Sequence, residues 1–129
     1  GPGQNSERFF PKIINGCLSE EKFPVSMGEQ LRDFCYIDDI TRGILLTLKN
    51  KEAIGEIINL GSGVPISIKN AIKIIQKIIG KGDPNYGKYP YRIDENMELY
   101  ADIKKAKKIL NWQPYIDIEH GLYKMIENN

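Results

Sequence analysis

"MGEQLRDFCYIDDI", residues 27–40, carries Arg32-Asp33 near one end of a short apolar stretch and Asp38-Asp39 at the other, with Tyr36 between them. A surface hairpin has no use for that arrangement. Two extended pieces are predicted here, "KFPVSMG" (22–28), which ends at Gly28, and "LRDFCYI" (31–37). Asp38 or Asp39 then supplies a carboxylate cap for a helix through Leu48, whose apolar face is Ile40, Ile44, Leu45 and Leu48.

Upstream, "RFFPKIINGCL" reads as a short helix starting near Pro11, with Phe9 and Phe10 before it. Downstream, "EIINL" (56–60) predicts a buried strand stopped by the Gly61-Ser62-Gly63 turn. Ser67 caps the clearest helix, "IKNAIKIIQKIIG". Its Ile68, Ile72, Ile75 and Ile79 share one stripe opposite Lys69, Lys73 and Lys77, and Gly80 ends it. "KGDPNYGK" (81–88) reads as a loop, and "YPYRI" and "MELYA" as short extended segments. Asp102 caps "IKKAKKIL", "NWQP" breaks the chain, and a last helix runs from about Asp117 to Glu127. The expected fold is therefore a small mixed α/β domain with short strands. A doubly wound nucleotide domain needs several long Val/Ile-rich strands, and only "EIINL" is a candidate.

The 129 residues suit one domain with its own core. A formal charge of +1 gives no electrostatic reason to expect nucleic acid or an anionic membrane as partner. No apolar run approaches the roughly 18 residues that a membrane span needs, and no signal peptide opens the chain. Cys17 and Cys35 sit in apolar surroundings and neither has a His at metal-ligand spacing, which fits buried thiols in a reducing, cytoplasmic setting. The lone His120 falls in a helix and reads as structural. No metal cluster, no Ser/His/Asp or Cys/His set and no catalytic residue can be assembled.

Binding features are more evident. Lysine outnumbers arginine 14 to 4, so lysine is the routine surface cation and each arginine is informative. Arg8, Arg32 and Arg92 lie outside the predicted helices and could grip a diphosphate through charge-assisted bonds, helped by the N–H groups of the helix near Pro11. Alternatively Arg32 pairs with Asp33 or another carboxylate, and Arg92 with Asp94 or Glu95. "NLGSG" is a poor phosphate loop and a better tight turn, because it lacks G-x-G-x-x-G and its helix begins only at Ser67. Tyr86, Tyr89, Tyr91 and Tyr100 suit a sugar or base pocket and the rim of a small core equally well.

Five segments in order carry a family resemblance: "GPGQ" with "RFFPKII", "GEQLRDFCYIDDI", "INLGSGVPISIKNAI", "YPYRIDENMELYADIKKAKKILNWQP" and "IEHGL". Together they resemble the C-terminal, substrate-binding portion of extended short-chain dehydrogenase/reductases, the NAD(P)-dependent nucleotide-sugar epimerases, dehydratases and 4-ketoreductases. The resemblance implies a nucleotide-diphospho-sugar as ligand and a partner N-terminal Rossmann domain, which would hold NAD or NADP and the catalytic Tyr-x-x-x-Lys. No cofactor is expected on residues 1–129 themselves, which are expected to be an inactive part of a larger two-domain enzyme. The resemblance also allows a homodimeric parent.

Matched by position, Arg32 and Arg92 fall where the family binds the nucleotide diphosphate. Arg8 and Phe9 fall at the helix start that holds the same group, though the family often has Asn where Arg8 stands. The segment from Lys22 through Phe23 and Val25 to Ser26 matches the strand along which the family lays the base. Asp33, Phe34 and Tyr36 match the turn that aims Arg32. Asp39, Asn59, Asp102 and Trp112 match positions read as structural. A stand-alone nucleotide-sugar-binding or structural module without catalysis is the alternative expectation.

Overall fold

The computed structural model describes residues 1–127. It is a mixed α/β fold with short strands, as predicted. Among the described residues, five α-helices surround two small sheets: α1 (Phe9–Leu18), α2 (Ile37–Lys49), α3 (Ile68–Ile79), α4 (Lys104–Leu110) and α5 (Ile118–Glu127). β1 (Lys22–Pro24) pairs in parallel with β4 (Asp83–Asn85). β2 (Leu31–Arg32) is the middle of the second sheet, antiparallel to β3 (Ile66–Ser67) and parallel to β5 (Glu98–Leu99).

The helix signals were read correctly where they are local. The Ser67 hydroxyl accepts the Asn70 N–H at 3.1 Å, and Gly80 adopts the left-handed conformation (φ 80°) that ends α3. Ile72 and Ile75 of its stripe are fully buried against Ile13, Ile14 and Cys17 of α1 and Leu122 and Met125 of α5. A second core gathers Ile103, Ala106, Leu110 and Trp112 around α4, beneath α2.

Five expectations are corrected. The strand in "KFPVSMG" stops at Pro24, and "KGDPNYGK" contains a strand, β4, whose Asp-Pro-Asn sequence has little intrinsic strand preference. Its partner lies some 60 residues away in the chain, so only the tertiary fold creates it. The caps of α2 also differ: Tyr36 occupies the cap position without a side-chain bond, while Asp38 and Asp39 lie inside the first turn. "EIINL" forms no ladder among the described residues, and Ile57 is 83% exposed. Finally, the apolar stripe of α2 faces outward. Ile44, Leu45 and Leu48 are exposed, Leu48 at 77%, while Asp39 and Gly43 face the core.

That inversion has a packing reason. A Cβ on Gly43 would lie 2.7 Å from Leu60 and 3.1 Å from the Trp112 indole nitrogen, so the glycine is what lets α2 close onto the second core. The opposite stripe is left exposed among the described residues, as are Ile54 and Ile57 in the segment that follows α2.

One buried defect is testable. The Tyr86 hydroxyl is buried without a hydrogen-bond partner among the described residues. Tyr86→Phe is therefore expected to stabilise the chain, by about 1 kcal/mol in urea unfolding, because it removes a desolvated, unbonded group and leaves the ring in place. A loss of stability on this substitution would show that the hydroxyl is bonded in solution.

Candidate functional site

β2 brings Arg32 and Asp33 to the junction of the second sheet. Asp33 accepts the N–H groups of Ser62 (2.6 Å), Gly63 (3.0 Å) and Ala101 (3.1 Å). Burial pushes its carboxyl up, but these bonds outweigh burial and hold it below the usual carboxylate range. The "GSG" turn thus does cradle an anion, and that anion is the chain's own Asp33. A Cβ on Gly61 would lie 2.7 Å from the Asp33 Oδ2, which is why this turn needs glycine there. The tight-turn reading holds.

Arg32 is engaged as well. Its Nη1 donates to the carbonyls of Leu31 and Asn96, each at 2.7 Å, and its Nη2 pairs with the Glu95 carboxylate. Both side chains are largely buried, 22% and 19% exposed. The partner is the "other carboxylate" alternative, carried by the turn in which the Glu95 N–H donates to the Arg92 carbonyl. Arg92 itself is exposed and makes no side-chain hydrogen bond or ion pair among the described residues. The two arginines therefore do not stand as a ready pair of free forks: one is held by Glu95 and the other is open to solvent.

Arg32 borders a recess of about 450 Å³ with Asp33, Asn59, Leu60, Tyr100 and Ala101. A second cavity of about 320 Å³ begins on the other side of Asp33 and is lined by Arg8, Phe9, Phe10, Phe34 and Tyr36. The Phe9 ring stacks on Phe34 (centroids 5.8 Å apart), and Phe10 leans on the same ring at 4.6 Å. Arg8 precedes α1 without a capping bond and is exposed. Tyr36 lies between Gly121 and Lys124, whose ammonium sits 5.3 Å from its ring centre. The fold thus gathers Arg8, Phe9 and Tyr36 at one cavity, sets Arg32 at its neighbour, and leaves Arg92 lining neither.

The β1 candidates divide. Val25 is a core residue, 6% exposed, with its N–H donated to Asn85 and its carbonyl accepting from Tyr89. Phe23 packs over Gly16 at the edge of the same core. The side chains of Phe23 and Val25 turn inward and that of Lys22 outward along this extended segment. Lys22 is exposed, 3.9 Å from Asp83 on β4. Of the tyrosines, Tyr100 borders the Arg32 recess, and the Tyr91 hydroxyl accepts the Glu29 N–H at 3.0 Å.

Other groups are structural. Asp39 is buried, accepts the N–H groups of Tyr115 and Ile116 at 2.9 Å and pairs with Arg42 at 2.8 Å. His120 is exposed and bonds Asp117 at the start of α5. Burial raises the Cys17 thiol, and burial with the Asp39 and Asp33 carboxylates pushes Cys35 up to about 11, so both stay protonated and unreactive at neutral pH. Among the described residues no three His, Cys, Asp or Glu side chains are placed to hold a metal ion, and no helix is long and apolar enough to cross a membrane.

Sequence reasoning missed Glu95 and Asn96 as the partners of Arg32, because 63 and 64 residues separate them and no local signal joins them. It also passed over Arg42, a helix residue whose guanidinium lies 4.1 Å from the Tyr115 ring centre.

Comparison with known proteins covers nearly the whole chain. The family model described as GDP-mannose 4,6 dehydratase matches residues 2–125. A UDP-glucuronate 4-epimerase of Thermodesulfobacterium geofontis is 48% identical over 98% of this chain and 39% of its own length. Among solved structures, UDP-glucuronic acid 4-epimerase from Bacillus cereus, in complex with UDP-glucuronic acid and NAD, superposes with a TM-score of 0.87. It is 34% identical over 99% of this chain and 41% of that one. The epimerase Mth375 of Methanothermobacter thermautotrophicus superposes with a TM-score of 0.89 at 28% identity, over 98% of this chain and 39% of that one. The chain spans about two-fifths of the length of these relatives.

Proposed function

This chain belongs to the GDP-mannose 4,6 dehydratase family, and from that premise we propose that it is the nucleotide-sugar-binding part of an NAD(P)-dependent epimerase, dehydratase or 4-ketoreductase. The observation that carries the reading is the end-to-end match to UDP-glucuronate 4-epimerases, one of them solved with its nucleotide sugar bound. The ligand is then a uridine-diphospho-sugar. Its diphosphate is gripped by Arg32 and Arg92, with Arg8 and the first turn of α1 alongside. Binding far from the reacting carbon positions that carbon for chemistry performed elsewhere.

The dinucleotide does not fit this chain. Its one glycine-rich turn after an extended segment, Gly61–Gly63, has the N–H groups of Ser62 and Gly63 already bonded to Asp33, so a pyrophosphate would find those donors taken. Cofactor chemistry belongs to a complementing α/β domain. The outward stripe of α2, with Ile54 and the unladdered segment 56–60, is the face proposed to receive it. One fact supports that occupant: the relatives are more than twice as long as this chain. The two free thiols suit a reducing compartment, the cytoplasm.

The test is titration of the chain with UDP and UDP-glucuronic acid, followed by 15N NMR of the arginine side chains. Arg92→Ala is expected to weaken binding roughly 10- to 100-fold, the worth of one charge-assisted contact. Millimolar affinity of the chain alone fits a part that needs its complement, and micromolar affinity fits a self-sufficient binding module. Affinity that is unchanged by Arg92→Ala sinks the diphosphate assignment.

A further inference from the structure

Arg92 is exposed, so its placement depends on the backbone that carries it. The residue before it is tied across the fold. The Tyr91 hydroxyl accepts the Glu29 N–H at 3.0 Å and donates to the Glu29 Oε2 at 3.2 Å. We propose that Tyr91 is a positioning residue: its paired hydrogen bonds to Glu29 hold the Arg92 backbone where the guanidinium can meet a ligand's diphosphate. The inference rests on the diphosphate reading above and adds a residue to it.

The Glu29 end of this latch has a firm base. Both neighbours of Glu29 are buried, and both give their carbonyls to the first turn of α3. The Lys69 N–H donates to Gly28 at 2.8 Å and the Ile68 N–H to Gln30 at 3.1 Å. Gly28 has φ +76°, and a Cβ there would lie 2.8 Å from the Lys69 nitrogen, so glycine is what lets the loop come this close. Glu29 is thereby held on either side, and its own N–H is left for the Tyr91 hydroxyl.

The far end of the segment is fixed as well. The Leu31 N–H donates to the Met97 carbonyl at 2.7 Å, and the Arg32 Nη1 to the Asn96 carbonyl at 2.7 Å. Between these anchors the chain closes a turn, with the Glu95 N–H on the Arg92 carbonyl at 3.1 Å. Arg92 therefore leaves a backbone pinned at Tyr91 before it and at Asn96 after it. A cation presented in this way gives up less freedom on meeting an anion than one on a loose loop, and the difference appears as affinity. Without the hydroxyl, the next anchor upstream is the Tyr89 N–H on the Val25 carbonyl at 3.2 Å.

Tyr91→Phe removes the hydroxyl and keeps the ring. UDP is titrated into the wild type, Tyr91→Phe, Arg92→Ala and the double variant, with the Arg92 Nε resonance as a second readout. Tyr91→Phe is expected to weaken UDP binding roughly three- to tenfold, the worth of one hydrogen bond. It is expected to have no further effect once Arg92 is alanine, and to reduce the response of the Arg92 Nε resonance to UDP. A merely structural role weakens binding by the same factor with and without Arg92, and that result overturns the inference. Tyr91→Phe binding UDP like the wild type, while Arg92→Ala binds weakly, also overturns it and leaves the diphosphate reading standing. Affinity that ignores Arg92→Ala removes both.

Discussion

Trp112→Ala is expected to destabilise the chain by about 3–5 kcal/mol, the largest loss for any single side chain outside the α1–α3–α5 core. The indole is fully buried and centres the cluster of Ile103, Ala106 and Leu110. Its Nε1–H donates to the backbone carbonyl of Asp39 at 3.0 Å, and the Arg42 guanidinium lies 5.7 Å from its ring. Alanine leaves a cavity and removes the indole's bond to the Asp39 carbonyl, which keeps its place in the α2 ladder. Domains of this size hold only about 5–15 kcal/mol in total, so the variant should melt roughly 10–20 °C lower. Trp112→Phe separates the two contributions: it keeps most of the packing and loses the one indole hydrogen bond, worth about 0.5–1.5 kcal/mol. A melting temperature unchanged by Trp112→Ala would mean that α2 is not held by this core.

Asp39→Ala is expected to cost about 2–4 kcal/mol. It leaves the N–H groups of Tyr115 and Ile116 and the Arg42 guanidinium without their shared acceptor. Arg42 keeps the Gln113 carbonyl and some access to water, which places the loss below that of a fully buried broken pair. The pH dependence follows from the direction of the Asp39 shift. Burial pushes the carboxyl up, and the bonds from Arg42, Ile116 and Tyr115 more than offset it, so the folded value lies below the ordinary one. The contribution is therefore complete above the unfolded value of about 4 and fades as the pH falls through the lower, folded value. The difference in stability between wild type and Asp39→Ala should be constant near neutrality and shrink in acid. Unfolding curves that stay equally far apart down to the most acidic conditions that leave the chain folded would remove Asp39 as the ionised anchor.

The family was legible in the order of residues. Five short segments in one sequence pointed to the nucleotide-sugar enzymes, and the family match over residues 2–125 agrees with them. α3 was legible in full, because a capping hydroxyl, a left-handed glycine and a 3.6-residue repeat all act within one or two turns of their own position. The same locality explains the misplacements. Periodicity showed that α2 has an apolar face but could not say that Gly43, opposite it, would be the side pressed onto Trp112 and Leu60. Asp39 read as a cap because capping is the nearest use for a carboxylate, whereas its partners lie 76 and 77 residues on. Which side of the Lys22–Ser26 segment is inside was set only by the pairing of β1 with β4, which turns Phe23 and Val25 to the core.

The candidate site divides along the same line. Residue type alone marked Arg8, Arg32 and Arg92, since a planar fork is scarce in a lysine-rich chain and has few uses other than binding an anion. Which anion Arg32 holds was decided only when β5 came alongside β2 and carried Glu95 onto it. Helix signals act over a few residues and survive in any context. Charge pairing and the direction of an apolar face depend on what long-range folding brings near, and a chain's local order holds no record of that.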